Sequence, residues 1–234
     1  MKVPASVSKE SRLVRALLVQ TVVTGLIDAV SYLGVGRVFT ANMTGNVVLL
    51  AFAVAGAPGL SIPRSAVSLA AFLGGAAAGG RLAARLGTGP QPRWIATAFA
   101  AEAVLLLAAA LTVAAGPRAP LLAVYGVIVP TAIAMGVRNA TVRKIALPDL
   151  TTTVLTLTLT GLAADAALAG GANPSAGRRA ASVLSMFLGA AVGALLVRHS
   201  LVLPLVSSGV VSCGCAIAVA LTPRDADAVP STGA

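Results

Sequence analysis

Acidic side chains are scarce in this chain. Seven Asp and Glu stand against seventeen Lys and Arg, a formal charge of +10, and charged residues of both signs together make up only 10% of the 234 positions. Soluble domains carry about 25% charged residues, so a water-soluble globule of this size would lack the polar surface to cover itself. Aromatic residues reach only 3%. With so few rings to stack bases, and with the basic residues scattered among loops rather than aligned in a stripe, no nucleic-acid partner is expected despite the charge. There is one histidine, His199 beside Arg198, which reads as a loop residue, and there are two cysteines. Cys213 and Cys215 lie two apart in the last apolar run, where a helix points them in well separated directions. They read as small core residues. No Ser-His constellation, metal-ligand cluster, phosphate-cradling glycine loop or dinucleotide fingerprint is present, so neither an enzyme nor a bound metal or cofactor is expected.

Apolar sequence fills the space that these absences leave. Hydrophobic residues make up 57% of the chain. Apolar stretches run through 13–36, 65–82, 94–115, 120–137, 180–197 and 200–221. Each is close to the ~20 residues that cross ~30 Å of hydrocarbon as a helix. A barrel would show alternating segments of ~10 residues, and only Thr156 to Thr160 alternates. The start, MKVPASVSKESRLVR, is basic, but the run after it carries Gln20 and Asp28 and has no small-x-small cleavage site, so it reads as a retained first helix. The fold class is an all-α membrane protein with six transmembrane helices and two re-entrant or broken segments, at 42–58 and 151–169.

The halves resemble each other. GLIDAVSYL (25–33) aligns with GVRNATVRK (136–144), which pairs Gly25 with Gly136, Asp28 with Asn139 and Ala29 with Ala140. One residue of slippage then sets Thr44 opposite Thr156 and Asn46 opposite Thr158, and FLGGAAAG (72–79) matches FLGAAVGA (187–194). The expected organisation is a tail at 1–12, a first repeat at 13–116, a second at 117–222 and a tail at 223–234. If 42–58 and 151–169 dip in and return, thirteen basic residues fall on one face and only Arg37, Arg64, Arg118 and Arg198 on the other. That asymmetry fits the positive-inside rule, with both ends cytoplasmic in a bacterial inner membrane. Three spans per half make the two repeats inverted, a plan of secondary transporters in which discontinuous helices build the binding site.

Polar residues cluster where the broken segments begin. ANMTGNVVLL carries Asn42, Thr44, Gly45 and Asn46, and DLTTTVLTLTLTGLAAD carries Thr152, Thr153, Thr156 and Thr160, which would fall within one side of a helix. A half-helix ending inside a membrane leaves N–H groups that protein, water or solute must meet. Asn42, Thr44 and Asn46 can cap such an end, and Gly45 admits close approach. The threonines either line a polar path or bond to carbonyls one turn back. With DAVSYL and MGVRNATVRK, these segments resemble the YoaK-like family of uncharacterised bacterial membrane proteins over roughly residues 15–220. The chain departs from that family at Arg138, where the pattern often has Gln, and at Leu157, where it often has Gly. The resemblance implies an inner-membrane location and no particular substrate.

Two carboxylates lie deep in the apolar runs. Asp28 comes thirteen residues after Arg15, about 20 Å along a helix, and is either a functional carboxylate or a structural one that caps the segment that follows or pairs with Arg37. Glu102, nine residues into the third run, either carries a cation or proton or bonds a neighbouring helix. Asp165 belongs to the end of the second broken segment. Gly75 with Gly79, and Gly189 with Gly193, make faces for close helix packing, and Trp94 after Pro92 and Arg93 reads as an interfacial anchor.

The expected function is a membrane transporter or channel for a small polar solute, lined by Asp28, Asn42, Thr44, Gly45, Asn46, Arg138, Asn139, Thr152, Thr156 and Thr160. The expected partners are that solute and the lipid bilayer, with homo-oligomers left open. The alternatives are a membrane scaffold that uses the glycine faces and an intramembrane enzyme built on an Asp28–Asp165 pair. Reporter fusions in the loops near Arg85 and Arg143 should report the same, cytoplasmic side; opposite sides would overturn the six-span reading.

Overall fold

The computed structural model describes residues 5–86, 91–116, 120–146, 152 and 155–222. The tail at 223–234, together with 147–151, Thr153 and Val154, therefore lies outside the described residues. Among the described residues there are eight α-helices and no strand. They are α1 (Ala5–Ala29), α2 (Met43–Val54), α3 (Ile62–Leu86), α4 (Gln91–Ala114), α5 (Pro120–Ile145), α6 (Thr156–Ala164), α7 (Ala176–Val197) and α8 (Val202–Ala220). Six are long and apolar enough to cross a membrane, the first as Arg12–Gly34 because a wider π-helical turn, Val30–Gly34, continues α1. With 12 and 9 residues, α2 and α6 measure about 18 and 14 Å, well short of the ~30 Å core. They fall in the two expected broken segments. As α2 follows the first span and α6 the fourth, they lie on opposite faces of the bundle.

Hydrocarbon rewards internal pairing of every backbone group, and α5 shows how a defect is handled. Pro130, inside α5, has no N–H for the carbonyl of Gly126 one turn back. The Thr112 hydroxyl of α4 lies 3.1 Å from that carbonyl and shares its proton between it and the Ala109 carbonyl at 2.7 Å.

The main span pairings join one half of the chain to the other. α1 packs along α7, α5 along α3 and α4 along α8, while α4 also meets α5 and α8 meets α1. α2 lies on α3, and α6 on α7. Exchanging the first three spans with the last three maps this set of neighbours onto itself. The closest crossings are set by glycine. A Cβ at Gly25 would strike the Met186 carbonyl and the Ala190 amide, and one at Gly136 would strike the Phe72 carbonyl and the Ala76 amide. Gly189 faces the Val22 carbonyl in the first crossing as Gly75 faces the Ile133 carbonyl in the second. These contacts set Phe72 against Met186, one residue away from the FLGGAAAG and FLGAAVGA alignment. Runs of small residues match by letter after a one-residue slip, but a helix face does not.

Two apolar layers fill the interior. One joins Val23, Ile27 and Val30 of α1 to Leu106 and Ala110 of α4, Ile128 and Met135 of α5 and Leu205 of α8, and it includes Val35, Val38 and Ala41 from the non-helical chain before α2. The other joins Leu17, Ala83, Ile95, Phe99, Val142 and Val219. Trp94 belongs to this second layer and is only 3% exposed, so it is a core residue and not an interfacial anchor. A large ring saves more by filling the space between helices than by sitting in the headgroup region. The outward sides of α3 and α7 are apolar, with Leu73, Leu184, Phe187, Leu188, Val192 and Leu195 exposed where lipid would cover them.

Gly75→Ala should lower the melting temperature of the purified protein, since overpacking against fixed backbone costs about 1–3 kcal/mol. Gly74→Ala, with nothing within 4 Å of the added carbon, should leave it unchanged. Equal melting of both variants would remove the close crossing as a determinant of stability.

Candidate functional site

The chain between α1 and α2 is irregular yet buried. Val38 and Thr40 are 0% exposed, and backbone without a ladder is tolerated at such a place only when protein satisfies it. Asp28 supplies that satisfaction. Its carboxylate accepts from the Ala41 N–H at 3.1 Å, with the amides of Thr40 and Asn42 beside it. Asn42 is the N-cap of α2, its side-chain oxygen accepting from the Gly45 N–H at 3.2 Å. A Cβ at Gly45 would sit a tight 3.1 Å from the Phe39 ring, which itself stacks on Tyr32 with centroids 4.9 Å apart. One turn into α2, Asn46 is buried and donates through its amide nitrogen to the Ser65 carbonyl of α3 at 3.2 Å. Ser68 of α3 donates to the Phe39 carbonyl at 2.7 Å. Two buried oxygens of this nest, Asn46 Oδ1 and the Thr40 hydroxyl, have no hydrogen-bond partner.

A second nest sits where α6 begins. Thr152, at the offset of 112 that also relates Thr44 to Thr156, corresponds to Thr40 and is likewise fully buried with an unpaired hydroxyl. Ser182 of α7, the counterpart of Ser68 by the glycine crossings, is also buried and unpaired. Thr158, the counterpart of Asn46, is buried on α6. Here the other end of the short helix is pinned. Arg179 donates through Nη1 to the Gly161 carbonyl at 2.8 Å, to Asp165 at 2.6 Å and to Asn173 at 3.1 Å. A guanidinium on the last carbonyls of a helix also meets the negative end of its dipole.

A third cluster lies between the two apolar layers. Arg138 of α5 and Glu102 of α4 are both 0% exposed and form a two-pronged ion pair, Nε to Oε2 at 2.9 Å and Nη2 to Oε1. Nη1 of Arg138 donates to the Gln20 carbonyl and the Thr24 hydroxyl of α1, both at 2.6 Å. Ser212 of α8 donates to Glu102 at 2.7 Å. Four helices thus meet on one charge pair, and the parallel N–H···O bonds of the guanidinium fork suit such burial.

Residues 16–222 match the protein-family model described as "Protein of unknown function (DUF1275)". The chain belongs to this family. The UPF0700 transmembrane protein YoaK of Bacillus subtilis (strain 168) is 31% identical over 141 residues, 60% of this chain and 61% of that protein. The match thus spans about three fifths of the relative's length. No solved structure matches the chain. A transmembrane relative and six spanning helices make this DUF1275 member a multi-pass protein of the bacterial cytoplasmic membrane.

The sequence-expected lining residues divide into separate places in this DUF1275 fold. Asp28, Asn42, Gly45 and Asn46 gather at the first nest, whereas Thr44 is exposed. Arg138 lies in the central cluster and belongs to neither membrane face, which leaves twelve basic residues against four in the topology count. Asn139, half-buried, donates to the Met135 carbonyl at 2.8 Å. Thr152, Thr156 and Thr160 do not share a helix face. The helix begins only at Thr156, and Thr152 has a φ of 50°, outside helical geometry. Thr156 and Thr160 are exposed, and the Thr160 hydroxyl is spent on the Thr156 carbonyl. Asp28 and Asp165 each have other partners, the amides of 40–42 and Arg179. Sequence reasoning passed over Thr40, Ser68, Gln20, Thr24 and Ser212. The central cluster had one readable signal, two opposite charges in separate spans, since hydrocarbon makes such charges seek each other.

Glu102→Gln should destabilise the purified protein by about 3 kcal/mol, because it leaves a buried guanidinium without its counter-charge. Combining it with Arg138→Gln should recover most of the loss in thermal melting. A double variant no more stable than the single would mean that the pair is not the source of the penalty.

Proposed function

We propose that the protein is a transporter or channel for a small polar solute, whose path runs by way of the two nests at α2 and α6. The observation that carries this reading is the pair of repeat-related threonines, Thr40 and Thr152, both fully buried with unpaired hydroxyls beside short helices on opposite faces. A buried hydroxyl without a partner costs about 1–3 kcal/mol, and a fold that needed only packing would place Val or Ala there. Discontinuous helices at equivalent points of two inverted repeats are the arrangement by which secondary transporters expose backbone and side-chain groups to a solute. The exchange symmetry of the helix pairings supports the inverted plan. On this reading no catalysis is assigned, and the site residues are Asp28, Thr40 and Asn46 on one face and Thr152, Thr158 and Ser182 on the other.

In a background lacking Cys213 and Cys215, Asn46→Cys and Thr158→Cys should react with a hydrophilic, membrane-impermeant thiol reagent, each from its own side of the membrane. Their rates should exceed by at least tenfold those of Val48→Cys and Leu159→Cys, which stand on the outward apolar faces. A scaffold needs no water at these positions. Rates as low as those of the two controls would overturn the proposal.

A further inference from the structure

Three charged side chains are buried among the described residues, Asp28, Glu102 and Arg138. Glu102 and Arg138 neutralise each other. Asp28 is left with backbone amides for partners and, among the described residues, no basic side chain within ion-pair distance, so in its ionised form it is a carboxylate without a counter-charge. Amide dipoles can orient a carboxylate, but they do not cancel a full charge in a medium this apolar. The same nest holds the two unpaired buried oxygens, Thr40 Oγ1 and Asn46 Oδ1. Thr40 is joined to the carboxylate through its own amide, and Asn46 is one helical turn beyond the Asn42 cap. An anionic solute would meet a carboxylate here, and a neutral one would leave its charge in place. A small cation would satisfy both the charge and the oxygens, because hard cations take carboxylate, hydroxyl and amide oxygens as ligands.

We infer that the nest formed by Asp28, Thr40 and Asn46 binds one small monovalent cation, of the alkali or ammonium kind. The inference rests on the transport reading and narrows it, since the cation is then either the solute or the ion that moves with it. The second nest differs in one respect. The residue aligned with Asp28 in the second half is the neutral Asn139.

The test is thermal melting of the purified protein in sodium, potassium or ammonium chloride, each against choline chloride of equal ionic strength, whose bulky cation has no bare charge for oxygens to coordinate. Wild type should rise by several degrees, saturably, with at least one small cation. Thr40→Val should raise the half-maximal concentration at least tenfold, and Asp28→Asn should abolish the rise. If Asp28→Asn does not fold, Thr40→Val and Asn46→Ala decide instead, and an unchanged half-maximal concentration in both overturns the inference. No cation-specific rise in wild type, an equal rise in Asp28→Asn, or a rise that follows pH and not cation would also overturn it. Thiol accessibility at Asn46 and Thr158 separates the two readings. Accessible segments without a cation response retain the path and reject the cation, while a cation response with inaccessible segments retains the site and rejects the path.

Discussion

A guanidinium placed in the interior of a membrane protein must find a partner for each of its donors within the protein, and Arg138 organises much of this bundle through that requirement. Its two prongs to Glu102 tie α5 to α4, its bonds to Gln20 and Thr24 add α1, and Ser212 brings in α8 through the same carboxylate. None of the four helices can rotate far without exposing an unpaired charge to hydrocarbon, at a cost well above any single apolar contact. The apolar layers on either side exclude water from the pair and so keep this constraint strong.

Glycine supplies the second constraint. α1 against α7 and α5 against α3 approach until one backbone touches the other, which fixes each pair with little freedom for side chains to adjust. Each pair takes one helix from each half of the chain, and each carries a short helix, α6 on α7 and α2 on α3. The α4–α8 pair meets both of these units. The Arg138 cluster lies where the two glycine-locked pairs meet α4 and α8. Rigid rocking of one sequence half against the other would break every main pairing at once.

The two nests differ in how their short helices are held. α2 is gripped at its start by Asp28 and the Asn42 cap, and α6 at its end by Arg179 and Asp165. A carboxylate suits the N-terminal side and a guanidinium the C-terminal side of a helix, so both grips follow the helix dipole. Asp28 thus does two things. It orders the chain entering α2, and among the described residues it stands without a basic side chain as partner.

Spans, class and the position of the broken segments were legible because hydrocarbon thickness is a one-dimensional constraint: a run of some twenty apolar residues crosses, and a run of nine or twelve does not. Asn42 as a cap was legible for a similar reason, since capping is local in the chain. The Thr152, Thr156 and Thr160 stripe failed because it assumed a helix that begins only at Thr156. Trp94 failed because its neighbours suited an interface, while the space that it fills is made by residues far away in sequence. The sequence by itself determined how many times the chain crosses and where it breaks. Only the tertiary structure decided that Glu102 belongs to Arg138, 36 residues away, that Thr40 and Thr152 are buried without partners, and that Asp28 has no basic side chain as partner among the described residues. Pairing of charges depends on which helix faces which, and that is settled by packing in three dimensions, not by the order of residues along the chain.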